Sequence, residues 1–335
     1  MLLLGLVACF PSDRASDSSG FERTDSSGVT VLLNPQPERL LSLEENFRMG
    51  VVEGNPDYQF DEIRSLALDD SGGLWVVDSH ESVRHYDAAG EYLGHVGGVG
   101  EGPAEALGYG SVWAGDLGVL VYGYPATLQL FAEDGELVES RPARAGRQSI
   151  LPLGFTRDRW IVTLRTFPDE LGDLFRRKAT IAKLPSLKAD LDTIRTLPGN
   201  LFRLIGQGGA AAGPYFLGNP SFGIDRMGRV FVSDTLEYRI DVYESDGSLA
   251  QVVSREGDPT PFDPQWANEI EEGIWEALRR DGPPSNAEQQ VERMMEAAIP
   301  SDPPEHLPFI KSVLVSDDGW LWVERADRHP RPALA

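Results

Sequence analysis

The chain has 335 residues, enough for one large domain or two small ones, and 41% of them are hydrophobic. It carries 53 acidic and 30 basic residues, a net charge of −23, which argues against nucleic-acid binding because nucleic acids are bound by basic patches. Cationic partners and divalent metals are compatible with this charge, and so is an acidic surface that only keeps the protein soluble.

The N-terminus resembles a bacterial export signal. Residues 1–8 are mostly apolar and too short to span a bilayer, and Leu6-Val7-Ala8-Cys9 resembles a lipobox. The resemblance implies cleavage before Cys9 and acylation of its thiol, which would anchor the protein in a membrane of the cell envelope, facing the periplasm or the cell surface. The alternative is a chance cysteine in a trimmed signal peptide. Residues 9–27, rich in Ser and Asp, are predicted to be a flexible tether.

The first predicted strand covers 28–33, and a unit of four short strands follows over 63–96. Its apolar runs are separated by clusters of Asp, Ser and Gly. These clusters predict tight turns, since Asp and Ser bond their own backbone and Gly supplies positive φ. The β-branched and aromatic residues between the turns predict strands, so the unit is expected to be an antiparallel sheet.

This unit is repeated along the chain. One signature, Leu68-Asp69…Gly72…Leu74-Trp75-Val76, returns at 224–232 and at 315–323. A second, His85-Tyr86…Gly90-Glu91, returns at 130–136 and at 242–248. The spacing is about that of propeller blades, roughly 40–50 residues. Radial repetition of four-stranded sheets gives a β-propeller.

The combined pattern L-x-D-x-x-G-x-L-W-V-x-D-S…Y-D-x-x-G-x-Y-L resembles an NHL-type repeat, and the chain resembles the six-bladed β-propeller lipoproteins of environmental bacteria. The resemblance covers about 28–324 and implies an all-β fold of four-stranded antiparallel blades. It implies no particular function, because propellers have many unrelated roles. The propeller is assigned to 28–325 and a polar tail to 326–335.

Blades are predicted at about 60–97, 107–140 and 219–254, and the stretch between the last two is either one long blade or hides another. The strand at 28–33 is expected to join the last blade and close the ring. That blade begins at 309–324 and is followed by a Pro-rich sequence. We therefore expect a last sheet that is either incomplete or completed by the N-terminal strands, and five or six blades in total.

Residues 263–300 interrupt the strand pattern. An apolar stripe that begins at Trp266 predicts one helix, and Gly282-Pro283-Pro284 ends it. A second predicted helix contains Met294 and Met295. The helical hairpin either packs on the propeller or serves as a lid or partner-docking element, in which case Trp266, Met294 and Met295 would be exposed anchors.

The sequence contains no zinc spacing of His or Cys, no nucleophile elbow, no Walker loop and no dinucleotide fingerprint. No catalytic residue, metal ligand or cofactor is therefore assigned. Asp69, Asp78, Asp225 and Asp234 recur at equivalent blade positions and are predicted to bond local backbone in turns rather than to bind a metal.

Binding sites on repeat scaffolds lie where the repeats differ. Two kinds of position are singled out here, the loops after the second strand of a blade and the start of the innermost strand of the first blade. The resulting candidate ligand-binding residues are Glu62, Arg64, His80, Arg84, Tyr238 and Arg239.

Two functional hypotheses follow. The first is a monomeric, lipid-anchored binding or scaffold protein of the cell envelope that recognises a protein or a glycan and does not bind nucleic acid. The second is a metal-dependent lactonase or lyase with acidic residues around the central channel, the only case in which a divalent metal would be needed. Three or more carboxylates or histidines that converge at the channel would favour the enzyme.

Overall fold

The computed structural model describes twelve ranges, separated by short gaps: 22–26, 29–33, 48–78, 82–156, 159–168, 174–205, 210–212, 218–234, 237–280, 286–299, 304–316 and 319–326. The predicted signal segment, Cys9 and His80 lie outside these residues. The predicted tether overlaps the first strand at 22–26, so that its last residues belong to a sheet.

The described strands form sheets, mostly antiparallel, that follow one another in sequence. Two N-terminal strands, β1 (Glu22–Ser26) and β2 (Val29–Leu33), pair with each other. A short 3-10 helix, Pro56–Tyr58, precedes the first blade. That blade contains β3 (Ser65–Leu68), β4 (Leu74–Val77), β5 (Val83–Tyr86) and β6 (Tyr92–Val96). The second contains β7 (Tyr109–Gly115), β8 (Gly118–Gly123), β9 (Thr127–Phe131) and β10 (Leu137–Pro142).

The third blade has longer strands and two short edge strands. It comprises β11 (Arg144–Ala145), β12 (Gln148–Thr156), β13 (Arg159–Thr166), β14 (Leu174–Leu184), β15 (Asp192–Ile205) and β16 (Ala210–Ala212). These strands pair in chain order in a single sheet. The stretch that the sequence left open is therefore one long blade.

The remaining elements are a fourth blade, a helical hairpin and a last pair of strands. The fourth blade contains β17 (Phe222–Ile224), β18 (Val230–Asp234), β19 (Arg239–Tyr243) and β20 (Leu249–Ser254). After it come α1 (Gln265–Arg280), α2 (Ala287–Ala298), β21 (Ile310–Val315) and β22 (Leu321–Arg325). The prediction of a helical hairpin within 263–300 is confirmed.

The sheets stand around a common axis, as in a β-propeller. One strand from each sheet faces this axis, and these strands contact one another in chain order: β3, β7, β12, β17 and β21. Successive side chains of a strand point to opposite faces, and each face is buried against a different neighbour. In β8, Val119 and Val121 pack toward the first blade, while Leu120 packs toward the third. The described residues thus form four complete blades and a two-stranded fifth sheet.

The glycines of the two repeat signatures occupy one backbone conformation. Their φ angles lie between +81° and +89°, in the left-handed region that favours glycine. They follow the first or the third strand of a blade: Gly72, Gly90, Gly135, Gly228, Gly247 and Gly319. The predicted tight turns are therefore confirmed.

The N-terminal strand was predicted to close the last blade, and this prediction is wrong. Strand β2 pairs in parallel with β20, the outer strand of the fourth blade, and extends that sheet to six strands. A parallel partner needs no tight turn, so an N-terminal segment far away in sequence can use the open edge of β20. The last sheet has two strands within the described part of the chain, as in the incomplete alternative.

The proposed docking residues of the helical hairpin are not exposed anchors. Trp266, Met294 and Met295 are half-buried against a small core of the helix pair, formed by Ile270, Ile274, Val291 and Leu307. Helix α2 also contacts β15 and β16 of the third blade. The apolar stripe therefore packs within the hairpin and on the propeller. Among the described helices, none is long and apolar enough to cross a bilayer.

Candidate binding cleft

The antiparallel connectivity places the blade ends on two faces. Tight turns that join the first to the second strand, such as 69–73, and the third to the fourth strand, such as 87–91, lie on what we call the turn face. The second strand ends and the third strand begins on the opposite side, as at Val77 and Val83, and we call this side the loop face.

A cleft of about 480 Å³ lies between the first and second blades, where turns of both blades meet on the turn face. It is bordered by the β3–β4 turn, strand β6, the β7–β8 turn and the β9–β10 turn. Five carboxylates line it: Asp69, Asp70, Asp116, Glu133 and Asp134. The cleft is therefore a concentrated site of negative charge on an acidic protein.

One wall of the cleft is a fixed group of side chains. The ring of His85 stacks on the buried ring of Trp75, with centroids 3.8 Å apart and planes 7° apart. Its Nε2 lies 2.9 Å from Oδ2 of Asp69. The other oxygen of Asp69 accepts hydrogen bonds from the backbone N–H groups of Ser71, at 3.0 Å, and Gly73, at 2.7 Å.

The pKa of Asp69 is set by two opposing effects. Burial acts to raise it, but the hydrogen bonds from Ser71, His85 and Gly73 outweigh burial and lower the pKa below its usual value. Asp69 therefore stays ionised and holds the turn together, as the sequence predicts. The side chain of Asp225 has the equivalent position in a turn of the fourth blade, where it accepts from the N–H groups of Met227 and Arg229.

Residues of three different blades meet at the rim of the cleft. A hydrogen bond with Asp116, on the neighbouring blade, raises the pKa of Asp70, and partial burial and the charge of Asp116 add to the effect. The guanidinium of Arg226, on the β17–β18 turn, donates to Asp70 at 3.2 Å, and its positive charge acts to lower the pKa of Asp70. Turns of the first, second and fourth blades therefore meet at this point.

Of the six candidate ligand-binding residues predicted from the sequence, all but His80 are described, and none of these five lines the cleft. Glu62 and Arg64, 3.6 Å apart, are exposed at the start of β3, on the loop face. Tyr238 is buried and precedes Arg239, which pairs with Asp241 at 2.8 Å. The structure therefore spreads these candidates over two blades rather than joining them into one site.

Arg84 is part of the interior instead of a binding surface. Its side chain is buried, forms a short ion pair with the buried Asp78 and donates to the backbone oxygens of Asp57 and Gln59, each at 2.9 Å. Its prediction as a ligand-binding residue is therefore not supported by its surroundings, because its donors already have partners in the first blade and in the segment that precedes it.

The cleft does not have the features of a metal centre. Within the described residues, no group of three or more His, Cys, Asp or Glu side chains is arranged to hold a metal ion. The carboxylates are distributed around the cleft, and Asp69 is already engaged by His85 and by the turn. We therefore derive no metal-dependent step from this site.

Sequence reasoning missed the cleft although it recognised the turns that form it. Asp69 was interpreted as a turn residue, which is correct. The adjacent Asp70 and the equivalent Asp116 were given no role. The signal that could have identified them is the excess of acidic residues at turns that the propeller model places on one face.

Comparisons with solved structures give only distant likenesses. No family model and no curated protein matches the chain. An exported protein of Bacteroides fragilis aligns with 13% identity and a TM-score of 0.40, over 67% of this chain and 60% of that chain. Virginiamycin B lyase from Staphylococcus aureus aligns with 8% identity and a TM-score of 0.31, over 56% of this chain and 69% of that chain.

A third solved structure, BamB from Moraxella catarrhalis, aligns with 12% identity and a TM-score of 0.28, over 60% of this chain and 79% of that chain. The chain spans about 60% of the length of the Bacteroides protein. At these scores the likenesses carry no argument about ligand, partner or activity. The propeller architecture rests instead on the strand pairing and blade contacts of the molecule itself.

Proposed function

We propose that this protein is a non-catalytic binding or scaffold protein of the cell envelope, and that its turn-face cleft receives a cationic segment of a protein partner. The observation that carries the proposal is the set of five carboxylates around one open cleft. Of these, Asp70, Asp116, Glu133 and Asp134 are exposed.

Charge complementarity supports a basic partner. Carboxylates form charge-assisted hydrogen bonds with Lys and Arg, and Arg can bind one carboxylate through two parallel bonds. The net charge of −23 would also attract a basic segment from a distance and speed association at low salt. The pairing of Arg226 with Asp70 is an internal example of the contact that a partner would make.

The binding experiment uses the purified chain and a fluorescent Lys/Arg-rich peptide, with an all-Gln peptide of the same length as reference. The variant Asp116→Asn/Glu133→Gln removes two exposed cleft charges, and Glu271→Gln/Glu272→Gln removes two exposed charges of α1. We expect the cleft variant to bind the basic peptide at least fivefold more weakly, and the helix variant to resemble the wild type. Equal affinities for both variants would contradict a role of the cleft.

The second part of the proposal is the lipid anchor, which rests on the lipobox-like Leu6-Val7-Ala8-Cys9. The protein would be a monomer held at a membrane of the envelope through acylated Cys9. In cells of a bacterial expression host, the wild type should fractionate with membranes and carry a diacylglyceryl group by mass spectrometry. Cys9→Ser should move it to the soluble fraction, and an unmodified Cys9 in the mature chain would remove the anchor.

A further inference from the structure

Three arginines lie together on the loop face of the third blade. Ser149 of β12 pairs with Arg144 of β11 on one side and with Arg165 of β13 on the other. Arg165 in turn pairs with Ala179 of β14, and Arg177 lies two residues before Ala179 on that strand. Directly paired residues point to the same side of a sheet, so Arg144 and Arg165 project from the same side of it.

The guanidinium of Arg177 is held in place by aromatic rings. It lies 3.8 Å from the ring centre of Phe167 and 4.0 Å from that of Phe202. Phe202 stacks in turn on the buried ring of Phe175, at 5.8 Å. The Nε atom of Arg177 is buried and has no hydrogen-bond partner. A planar donor group is thus fixed in orientation with donor capacity unused.

The three guanidinium groups form no direct ion pair with a carboxylate among the described residues. None of the ion pairs there involves Arg144, Arg165 or Arg177. Burial lowers the pKa of Arg165, and burial followed by the charges of Arg165 and Arg144 lowers that of Arg177. Arginine nevertheless stays protonated in proteins. Partial burial of Arg165 and Arg177 near a third positive charge costs free energy, and an anion bound between them would offset that cost.

We propose that Arg144, Arg165 and Arg177 form a binding site for an oxyanion, the carboxylate or phosphate group of an acidic ligand. Guanidinium donors match both groups bidentately. The excess negative charge of the chain does not prevent binding, because charges more than about 8 Å away are largely screened at physiological ionic strength. This site lies on the loop face and is independent of the cleft on the turn face.

The test is calorimetric titration of the full chain with inorganic phosphate and, separately, with glucuronate, both at constant ionic strength. We expect saturable binding of at least one probe, weakened at least tenfold in Arg165→Gln and in Arg177→Gln. Arg279→Gln is the matched control, since Arg279 is exposed and lies 5.7 Å from the ring centre of Trp275. Preference for phosphate would identify a phosphate ester as the natural group, and preference for glucuronate a sugar carboxylate. Binding of neither probe, or equal binding by all variants, overturns the proposal.

Thermal unfolding gives a second measurement that does not depend on calorimetric signal. A bound anion stabilises the folded state by mass action, so the preferred probe should raise the Tm of the wild type and of Arg279→Gln. It should not raise the Tm of Arg165→Gln. Without the probe, Arg165→Gln should unfold at the same temperature as the wild type or higher, because one repelling charge is gone. A similar rise in all three proteins would indicate a non-specific salt effect and contradict the site.

Discussion

Two adjacent aspartates in the turn after β3 have opposite pKa shifts. Hydrogen bonds from the turn and His85 outweigh burial and lower the pKa of Asp69. Its contribution to stability is therefore present above its unfolded value of 3.8 and lost as the pH falls through the lowered pKa. Asp70 has a raised pKa because of Asp116. The contribution of Asp70 to stability therefore has the opposite pH dependence. It is present below the unfolded pKa of 3.8 and is lost as the pH rises through the raised pKa.

Asp116→Asn should lower the pKa of Asp70, because it removes the carboxyl group whose hydrogen bond and charge raise that pKa, while Arg226 remains. The variant should gain stability relative to the wild type as the pH rises from about 4 to 7. A carboxyl-carbon NMR titration measures the pKa directly. Glu133→Gln, which neutralises another cleft carboxylate, should leave it nearly unchanged. If Asp70 titrates at the same pH in Asp116→Asn as in the wild type, the assigned contact is wrong.

Arg84 and Asp78 allow a stability prediction at a buried ion pair. Arg84→Met removes one partner, leaves a buried carboxylate and should cost about 3–5 kcal/mol in the free energy of unfolding, measured by denaturant titration. The double variant Arg84→Met/Asp78→Leu should cost less than the sum of the single changes. Arg64→Met, at an exposed pair with Glu62, serves as control and should stay within about 0.5 kcal/mol. If Arg84→Met also lost no more than about 0.5 kcal/mol, Arg84 would behave as a surface residue and would again be a candidate for ligand binding.

At the scale of elements, local signals in the sequence predict the strands and turns well but not every pairing. The glycines at 72, 228 and 319 mark turns because the conformation that they require is local. The partner of β2 is β20, more than 200 residues away, and nothing in either strand encodes that choice. The prediction that the N-terminal strand joins the last blade relied on a general tendency of propellers, and it was wrong because β2 pairs with the fourth blade instead.

Val31→Pro tests the parallel pairing of β2 with β20. Val31 is opposite Val252, and proline is not tolerated in a strand with neighbours on both sides. We expect the alternate amides of β20 that face β2 to lose protection in hydrogen exchange, while those that face β19 keep it. Thr24→Pro, in the edge strand β1, should leave β20 protected. Unchanged exchange throughout β20 in Val31→Pro would contradict the observed sheet order.

At the scale of the whole molecule, the sites depend on contacts between blades that no single repeat contains. The salt bridge of Arg226 with Asp70 joins residues 156 positions apart. The sequence indicates that both lie in turns, but only the closed arrangement of blades brings them together. The three arginines of the third blade were missed for a related reason, since this blade has the most degenerate repeat and its register could not be assigned from sequence.

Close approach of the blades depends on glycines in their innermost strands. A Cβ on Gly115 of β7 would overlap the ring of Phe155 in β12, and one on Gly154 would lie 2.6 Å from Cδ1 of Ile224 in β17. A Cβ on Gly223 would lie 3.0 Å from Cγ2 of Val315 in β21. Each innermost strand from the second to the fourth blade thus leaves room for a side chain of the next one.

Gly115→Ala should therefore destabilise the propeller by about 1–3 kcal/mol, the usual cost of overpacking, measured by denaturant unfolding. The matched control is Gly98→Ala, because a Cβ there meets no atom within 4 Å. Phe155→Leu combined with Gly115→Ala should cost less than the sum of the two single variants, since the smaller side chain relieves the overlap. If Gly115→Ala were as stable as Gly98→Ala, the second and third blades could not be as close as observed, and the radial packing would have to be revised.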